Sequence, residues 1–288
     1  MKKFNVMIGT VLFILLALTS NAYSLRVATL NTEWLWDTSE PHEGQIVGYD
    51  EGDIRPPNTR EYVLETFAIA KTIESLDADI VGLTEIENEN VAEEILKYLK
   101  DDWKVVFEKG RDTYTGQDVA ILTRLDAISG TVTNFPDYNG ESDDGRIKKR
   151  PSKVLGVGLK DGNETYFVVV THLLSKRSSN DDKRYAQADA IRNAVIDQYG
   201  QYNHFIVMGD MNDLPGSDVL QKLKGERDDK TNLLQPASSS DYSYVYEGRK
   251  QLIDHILVSK DLAEGGTFWS VELPEAITDH RVVVFESN

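Results

Sequence analysis

The apolar residues of this chain fall into two alternating rhythms. Nearly continuous runs of Val, Ile, Leu and Phe predict buried strands over residues 25–30, 79–83, 103–108, 119–123, 148–159, 165–171, 204–208, 252–258 and 281–285. Between them, apolar positions recurring every three or four residues predict helices over 58–76, 91–100 and 182–199. In the first helix Asn58 is an N-cap, and Val63, Phe67, Ala70 and Ile73 form the inward face. Residues 37–57, rich in Gly, Pro and acids, read as a loop, as does 139–145 with Glu141, Asp143 and Asp144. Asp161-Gly162-Asn163 is a hairpin turn. Strands interleaved with helices, several on hairpin-length links, predict an α/β sandwich of mixed sheets covered by helices rather than a wholly parallel sheet. No repeat or Pro/Gly/Ser-rich linker divides residues 25–288, so one domain is expected.

The first 24 residues follow another logic. Lys2 and Lys3 precede an apolar run over 6–18, and Ala22 and Ser24 are small residues before Leu25. This is the pattern of a signal peptide, 1–24, and the run is shorter than the roughly 20 residues a membrane span needs. An exported protein, secreted or periplasmic, with no stable membrane insertion after signal removal, is expected. Composition narrows the chemistry. Cysteine is absent, which excludes disulfides, thiolate nucleophiles and zinc–thiolate sites. Asp and Glu number 48 against 31 Lys and Arg, a net charge of −17. Such a chain does not hold nucleic acid by bulk positive charge, but it can meet phosphate through a few Arg and a divalent cation.

Polar residues interrupt the apolar strands at their ends. Val27–Leu30 ends at Asn31, Ile80–Thr84 at Glu85, Phe167–Thr171 at His172, and Phe205–Gly209 at Asp210 with Asn212 beyond. Asp279-His280 stands before the last strand. Taken singly, each reads more readily as a cap or turn residue than as a ligand; strands meeting at one sheet edge would gather all five into a cleft. Carboxylates there need a cation or donors, and an oxygen-rich set suits Mg²⁺, Mn²⁺ or Ca²⁺. Such an ion with His and Asn donors can hydrolyse a phosphodiester. His42 and His204 lack partners of this kind and read as structural.

In order, ATLNTEWL (28–35), DIVGLTEIEN (79–88), QDVAILTR (117–124), VVVTHLLSKR (168–177), VMGDMND (207–213), LIDHILVS (252–259) and ITDHRVVV (277–284) resemble the endonuclease/exonuclease/phosphatase superfamily, most of all its exported bacterial nucleases. The resemblance implies a DNase I-like four-layered α/β sandwich, two packed mixed sheets flanked by helices, with the active site at one edge of both. It implies Glu85 as principal metal ligand, Asn31 near the same ion or the phosphate, and Glu33 as a second acidic ligand. His172 donates to phosphate or leaving group, and Asp210 and Asn212 orient water and hold the scissile phosphate. Asp279 fixes the tautomer of His280, and Asp254 supports that histidine or its water. Which of Asp210 and His280 takes the proton from water is left open. Arg150 and Arg184 are expected at substrate phosphate.

The function implied is a secreted, divalent-metal-dependent phosphodiesterase acting on nucleic acid, DNA first, as a monomer. The alternative is a phosphatase or sphingomyelinase-type phospholipase on the same fold, with the Trp34/Trp36 pair as its exposed apolar loop. Asp254-His255, where inositol phosphatases carry Asp-Arg, counts against the first of these. An inactive binding domain is disfavoured, because Glu85, Asp279-His280 and the Gly209-Asp210/Asn212 set are all present.

Overall fold

The computed structural model describes residues 24–39, 42, 56–100, 102–176, 180–226 and 230–288. The predicted signal peptide (but for Ser24) and most of the 37–57 loop lie outside the described residues. In chain order the strands are β1 (Arg26–Leu35), β2 (Ile80–Ile86), β3 (Lys104–Val106), β4 (Asp118–Thr123), β5 (Asp126–Ala127), β6 (Gly140–Glu141), β7 (Lys148–Lys149) and β8 (Val154–Asp161). They continue with β9 (Glu164–Thr171), β10 (His204–Asp210), β11 (Leu233–Leu234), β12 (Tyr244–Tyr246), β13 (Arg249–Gln251), β14 (Asp254–Ser259), β15 (Thr267–Val271) and β16 (Val282–Glu286). The helices are α1 (Thr59–Leu76), α2 (Glu89–Leu96), α3 (Asp181–Asp197), α4 (Asp218–Lys224) and α5 (Lys260–Ala263).

Two six-stranded mixed sheets form, ordered β15-β16-β1-β2-β4-β3 and β11-β14-β10-β9-β8-β5. Each has a parallel central pair, β1 with β2 and β9 with β10, flanked by antiparallel neighbours. Helices α1 and α3 make the crossovers that parallel pairing requires. Val27, Ile80, Ile121, Val168, Ile206, Ile256 and Val283 face inward and fill the space between the sheets. Their alternate neighbours face outward. Ala28, Val81, Leu83 and Val284 pack under α1 and α2, while Val169, Val207 and Leu257 pack under α3 and α4. The result is the four-layered α/β sandwich of the DNase I-like fold.

Asn58 caps α1 as predicted, in a reciprocal capping box with Glu61. The inward face differs from the predicted one. Tyr62, Thr66, Ile69, Ala70 and Ile73 are buried, whereas Val63 and Phe67 are exposed. Thr66 fits the apolar face because its hydroxyl donates to the Tyr62 carbonyl at 2.7 Å. Phe67 packs instead edge-on against Tyr98. The strand predicted over 148–159 is broken at Pro151, which has no N–H for a ladder. Its first piece, β7, pairs with β6 against α3, and its second, β8, joins the main sheet beside β9.

Two glycines allow close approaches beneath the site, Gly82 between the sheets and Gly209 between neighbouring strands of the second sheet. A Cβ on Gly82 would lie 2.7 Å from Val170 Cγ2, so the sheets approach there as only glycine permits. Gly209 has φ 129°, and a Cβ would meet the Thr171 carbonyl oxygen at 2.0 Å.

Candidate active site

The parallel pairs end at the same edge of the sandwich, and both ladders of β2 slip there. The β1–β2 register shifts between Asn31 and Leu35, and the β2–β4 register between Thr84 and Ile86. Glu33, Trp34 and Glu85 take positive φ of 49°, 60° and 64°. A left-handed non-glycine residue costs roughly 1–2 kcal/mol, so bulges of this kind need local support. Here the support is polar. Asn31 Oδ1 accepts the Glu33 N–H at 2.9 Å, and Glu85 Oε2 accepts the Trp34 N–H at 3.1 Å. The bulges turn the Glu85 carboxylate toward the second sheet.

There it meets Asp210. The buried Asn31 amide donates to Glu85 Oε1 and to Asp210 Oδ2, each at 3.0 Å, and so joins a carboxylate from each sheet. His172 Nε2 stands 3.7 Å from both of those oxygens. Glu85, His172 and Asp210 offer three donor atoms within 4.8 Å of one another. Burial, then the positive charge of Lys153 and His280, holds His172 well below its ordinary value, so it is neutral. Asp210 is pushed up to about 7 by burial and by the Asp254 carboxylate, its cross-strand neighbour.

Asp254 Oδ2 bonds His280 Nδ1 at 2.7 Å. Burial works against an imidazolium at His280, but the charge and hydrogen bond of Asp254 outweigh it, and the group is raised to about 10. Asp254 is fully buried, and its backbone N–H donates to Ser243 Oγ at 2.9 Å. Tyr244 packs at a tilt of 31° against the His280 ring, centroids 4.7 Å apart. Thr278 Oγ1 donates to the Asn31 carbonyl and accepts the His280 N–H, tying the approach to β16 to the end of β1.

The structure therefore brings Asn31, Glu85, His172, Asp210, Asp254 and His280 together and assigns several neighbours differently. Asp279 does not hold the His280 tautomer. It is exposed, 3.7 Å from Nε2, while Asp254 occupies Nδ1. Glu33 stands outside the ligand groups; its Oε2 accepts the Asp279 N–H at 2.8 Å, and burial of the carboxyl with the nearby Asp279 charge pushes it up to about 7. Asn31 bridges carboxylates through its nitrogen rather than offering its oxygen as a ligand. Asn212 donates to the Leu173 carbonyl, and its N–H caps Asp210 Oδ1.

Arg184, expected at substrate, is fully buried. Its guanidinium reaches Asp213 Oδ2 at 3.2 Å, the Ser175 carbonyl at 3.1 Å and Asp181, bracing the segment after His172. Arg150 is exposed and donates to the Pro136 carbonyl. Trp36 is fully buried and Trp34 half-buried, so the pair forms no exposed apolar loop. The sequence reading missed Lys153, whose Nζ lies 3.1 Å from Asp112 and whose backbone carbonyl accepts the His172 N–H. Its one signal was a lysine at the mouth of an apolar strand.

Solved structures share this architecture. Truncated TDP2 from Caenorhabditis elegans matches with a TM-score of 0.62 at 16% identity, over 92% of this chain and 97% of that one. The human Nocturnin catalytic domain with bound sulfate matches at 0.62 and 18%, over 92% and 94%. An endonuclease/exonuclease/phosphatase from Bacteroides vulgatus matches at 0.60 and 16%, over 92% and 98%. No curated protein matches by sequence. A family model, Endonuclease/Exonuclease/phosphatase family, aligns with residues 26–275, which takes in every strand end of the cleft except the Asp279-His280 turn. With fold and family model in agreement, this chain belongs to the endonuclease/exonuclease/phosphatase family.

Proposed function

We propose that the protein is an exported hydrolase of nucleic-acid phosphodiesters, with DNA the favoured substrate and a divalent cation required. The observation that carries this reading is the adjacency of two unlike groups joined through Asp210: the Glu85–His172–Asp210 set and the Asp254–His280 pair. Glu85, with the Asp210 carboxylate beside it and no lysine or arginine between them among the described residues, would hold Mg²⁺ or Mn²⁺, which leaves the neutral His172 to donate. When bound, the ion supplies charge neutralisation at the phosphate and acidification of water.

The side chains then divide the work. Asp210, held by the Asn31 amide beside Glu85, is placed to take the proton of the attacking water. His280, raised to about 10, is an imidazolium whose Nε2–H stabilises the charge growing on the phosphate oxygens. His172, neutral, donates from Nε2. Asn31 keeps Glu85 and Asp210 apart at fixed geometry. The apolar run over 6–18 behind Lys2 and Lys3 supports export.

The test incubates residues 25–288 with supercoiled plasmid in Mg²⁺, Mn²⁺, Ca²⁺ or EDTA, beside His280→Ala. Metal-dependent nicking by the wild type and none by the variant is expected. Plasmid intact in every lane, with a small phosphate ester or phospholipid hydrolysed instead, would move the assignment to those substrates.

A further inference from the structure

The ribbon of β12 and β13 belongs to neither main sheet, yet its base is fixed to the catalytic pair. Tyr244 bridges to His280 and packs at a tilt on its ring, and Ser243 Oγ accepts the Ile253 and Asp254 N–H groups. At the tip, Glu247 and Gly248 have φ of 48° and 75°, the two positive values of a type I′ turn. That turn sets the pairs Tyr244↔Gln251, Val245↔Lys250 and Tyr246↔Arg249. Cross-strand partners share a face, as do residues two apart. Tyr246 and Arg249 therefore lie on the face of Tyr244, about 7 Å farther out from His280. Val245 and Lys250 take the other face, where Lys250 Nζ sits 4.1 Å from the Tyr242 ring.

Tyr246 is 54% exposed. Arg249 is exposed and makes no side-chain hydrogen bond or ion pair among the described residues, in a chain with 48 acids. A two-stranded ribbon is marginal by itself, and an open tyrosine beside a free guanidinium adds nothing to the core. Both groups suit an outside partner that is flat, aromatic and anionic.

We propose that Tyr246 and Arg249 form a platform for the substrate strand. The ring stacks on an unpaired base next to the scissile phosphate, and the guanidinium takes a flanking phosphate. The platform selects single-stranded nucleic acid, or duplex frayed at the cut. This deepens the phosphodiesterase reading and rests on it.

The test compares kcat/KM on a single-stranded oligonucleotide with that on glycerophosphoglycerol, a small diester with no ring to stack. One base stack corresponds to roughly ten-fold, so Tyr246→Ala lowers the oligonucleotide-to-diester ratio by about that factor, through KM. Tyr246→Phe restores it. Arg249→Gln lowers it as well and flattens the salt dependence. Val245→Thr, on the opposite face, leaves it alone. An unchanged ratio in Tyr246→Ala overturns the platform. So does an equal loss on both substrates, which makes the ribbon only a support for His280, or a wild-type preference for intact duplex. A wild type that hydrolyses the small diester and no oligonucleotide overturns the nucleic-acid reading itself; hydrolysis of sphingomyelin vesicles lost in Tyr246→Ala gives the platform to lipid.

Discussion

Replacing Arg184 by Met separates a brace from a substrate contact. The guanidinium is completely buried and bonds Asp213 Oδ2 through Nε at 3.3 Å and Nη2 at 3.2 Å, with Nη1 on the Ser175 carbonyl at 3.1 Å. Its contact to Asp181 involves a side chain 63% exposed and adds little. Removing one member of a buried ion pair costs about 3–5 kcal/mol, because the other charge is stranded. Asp213 keeps Lys176 at 2.7 Å and the Leu214 N–H at 3.0 Å, so the lower end, about 3 kcal/mol, applies. A domain of this size loses about 2–4 °C per kcal/mol, so Tm falls by about 6–12 °C. Scanning calorimetry on Arg184→Met measures this. Adding Asp213→Asn removes the stranded charge and recovers part of the loss. An unchanged Tm with a raised KM on a small diester would refute the brace and return Arg184 to the substrate.

Other outcomes follow from named contacts. Asp254→Asn leaves His280 without its orienting charge; kcat falls by roughly 10⁴-fold and the His280 pKa, followed by NMR, drops from its raised value. His204 stands between Glu164 and Asp261; burial opposes its charge, but the two carboxylates outweigh burial and raise its pKa above 6.5. A raised folded pKa gives stability that is complete below the ordinary histidine value and lost as pH climbs through the raised one, so His204→Gln is more destabilising near pH ~5.5 than near pH ~9 in urea titrations. A Cβ on Gly140 would lie 1.8 Å from the Ala186 carbonyl oxygen and 2.4 Å from Ala190 N; Gly140→Ala forces α3 outward and lowers stability by about 1–3 kcal/mol, read as Tm.

Much of the fold could be read from sequence because its strands are buried on both faces and so stand out as unbroken apolar runs. The cleft residues were legible for the same reason: a carboxylate such as Glu85 or Asp210 closing such a run is conspicuous. Roles set by pairing across the fold were not. Asp279 adjoins His280 in sequence, but neighbours on an extended chain point to opposite sides, and the imidazole meets Asp254 from 26 residues away. Arg184 looked free because its partner Asp213 lies 29 residues downstream. The inward face of α1 was misphased because Thr66 counts as polar in sequence and as satisfied in the structure. Tyr244 gave no signal, since its importance is a ring contact made only when the ribbon folds back.

The pairing of the first sheet also sets when the cleft can be complete. β1 is flanked on one side by β16, with Arg26 opposite Glu286, and His280 arrives just ahead of that strand. During synthesis, β1 emerges early and waits with an open edge until nearly the last of these residues has been made. No growing chain, however much of it has folded, carries a complete cleft. This order of assembly is a built-in delay in completing the cleft. A chain that stops short of Thr278 lacks both the strand that pairs with β1 and the approach that carries His280 into the cleft.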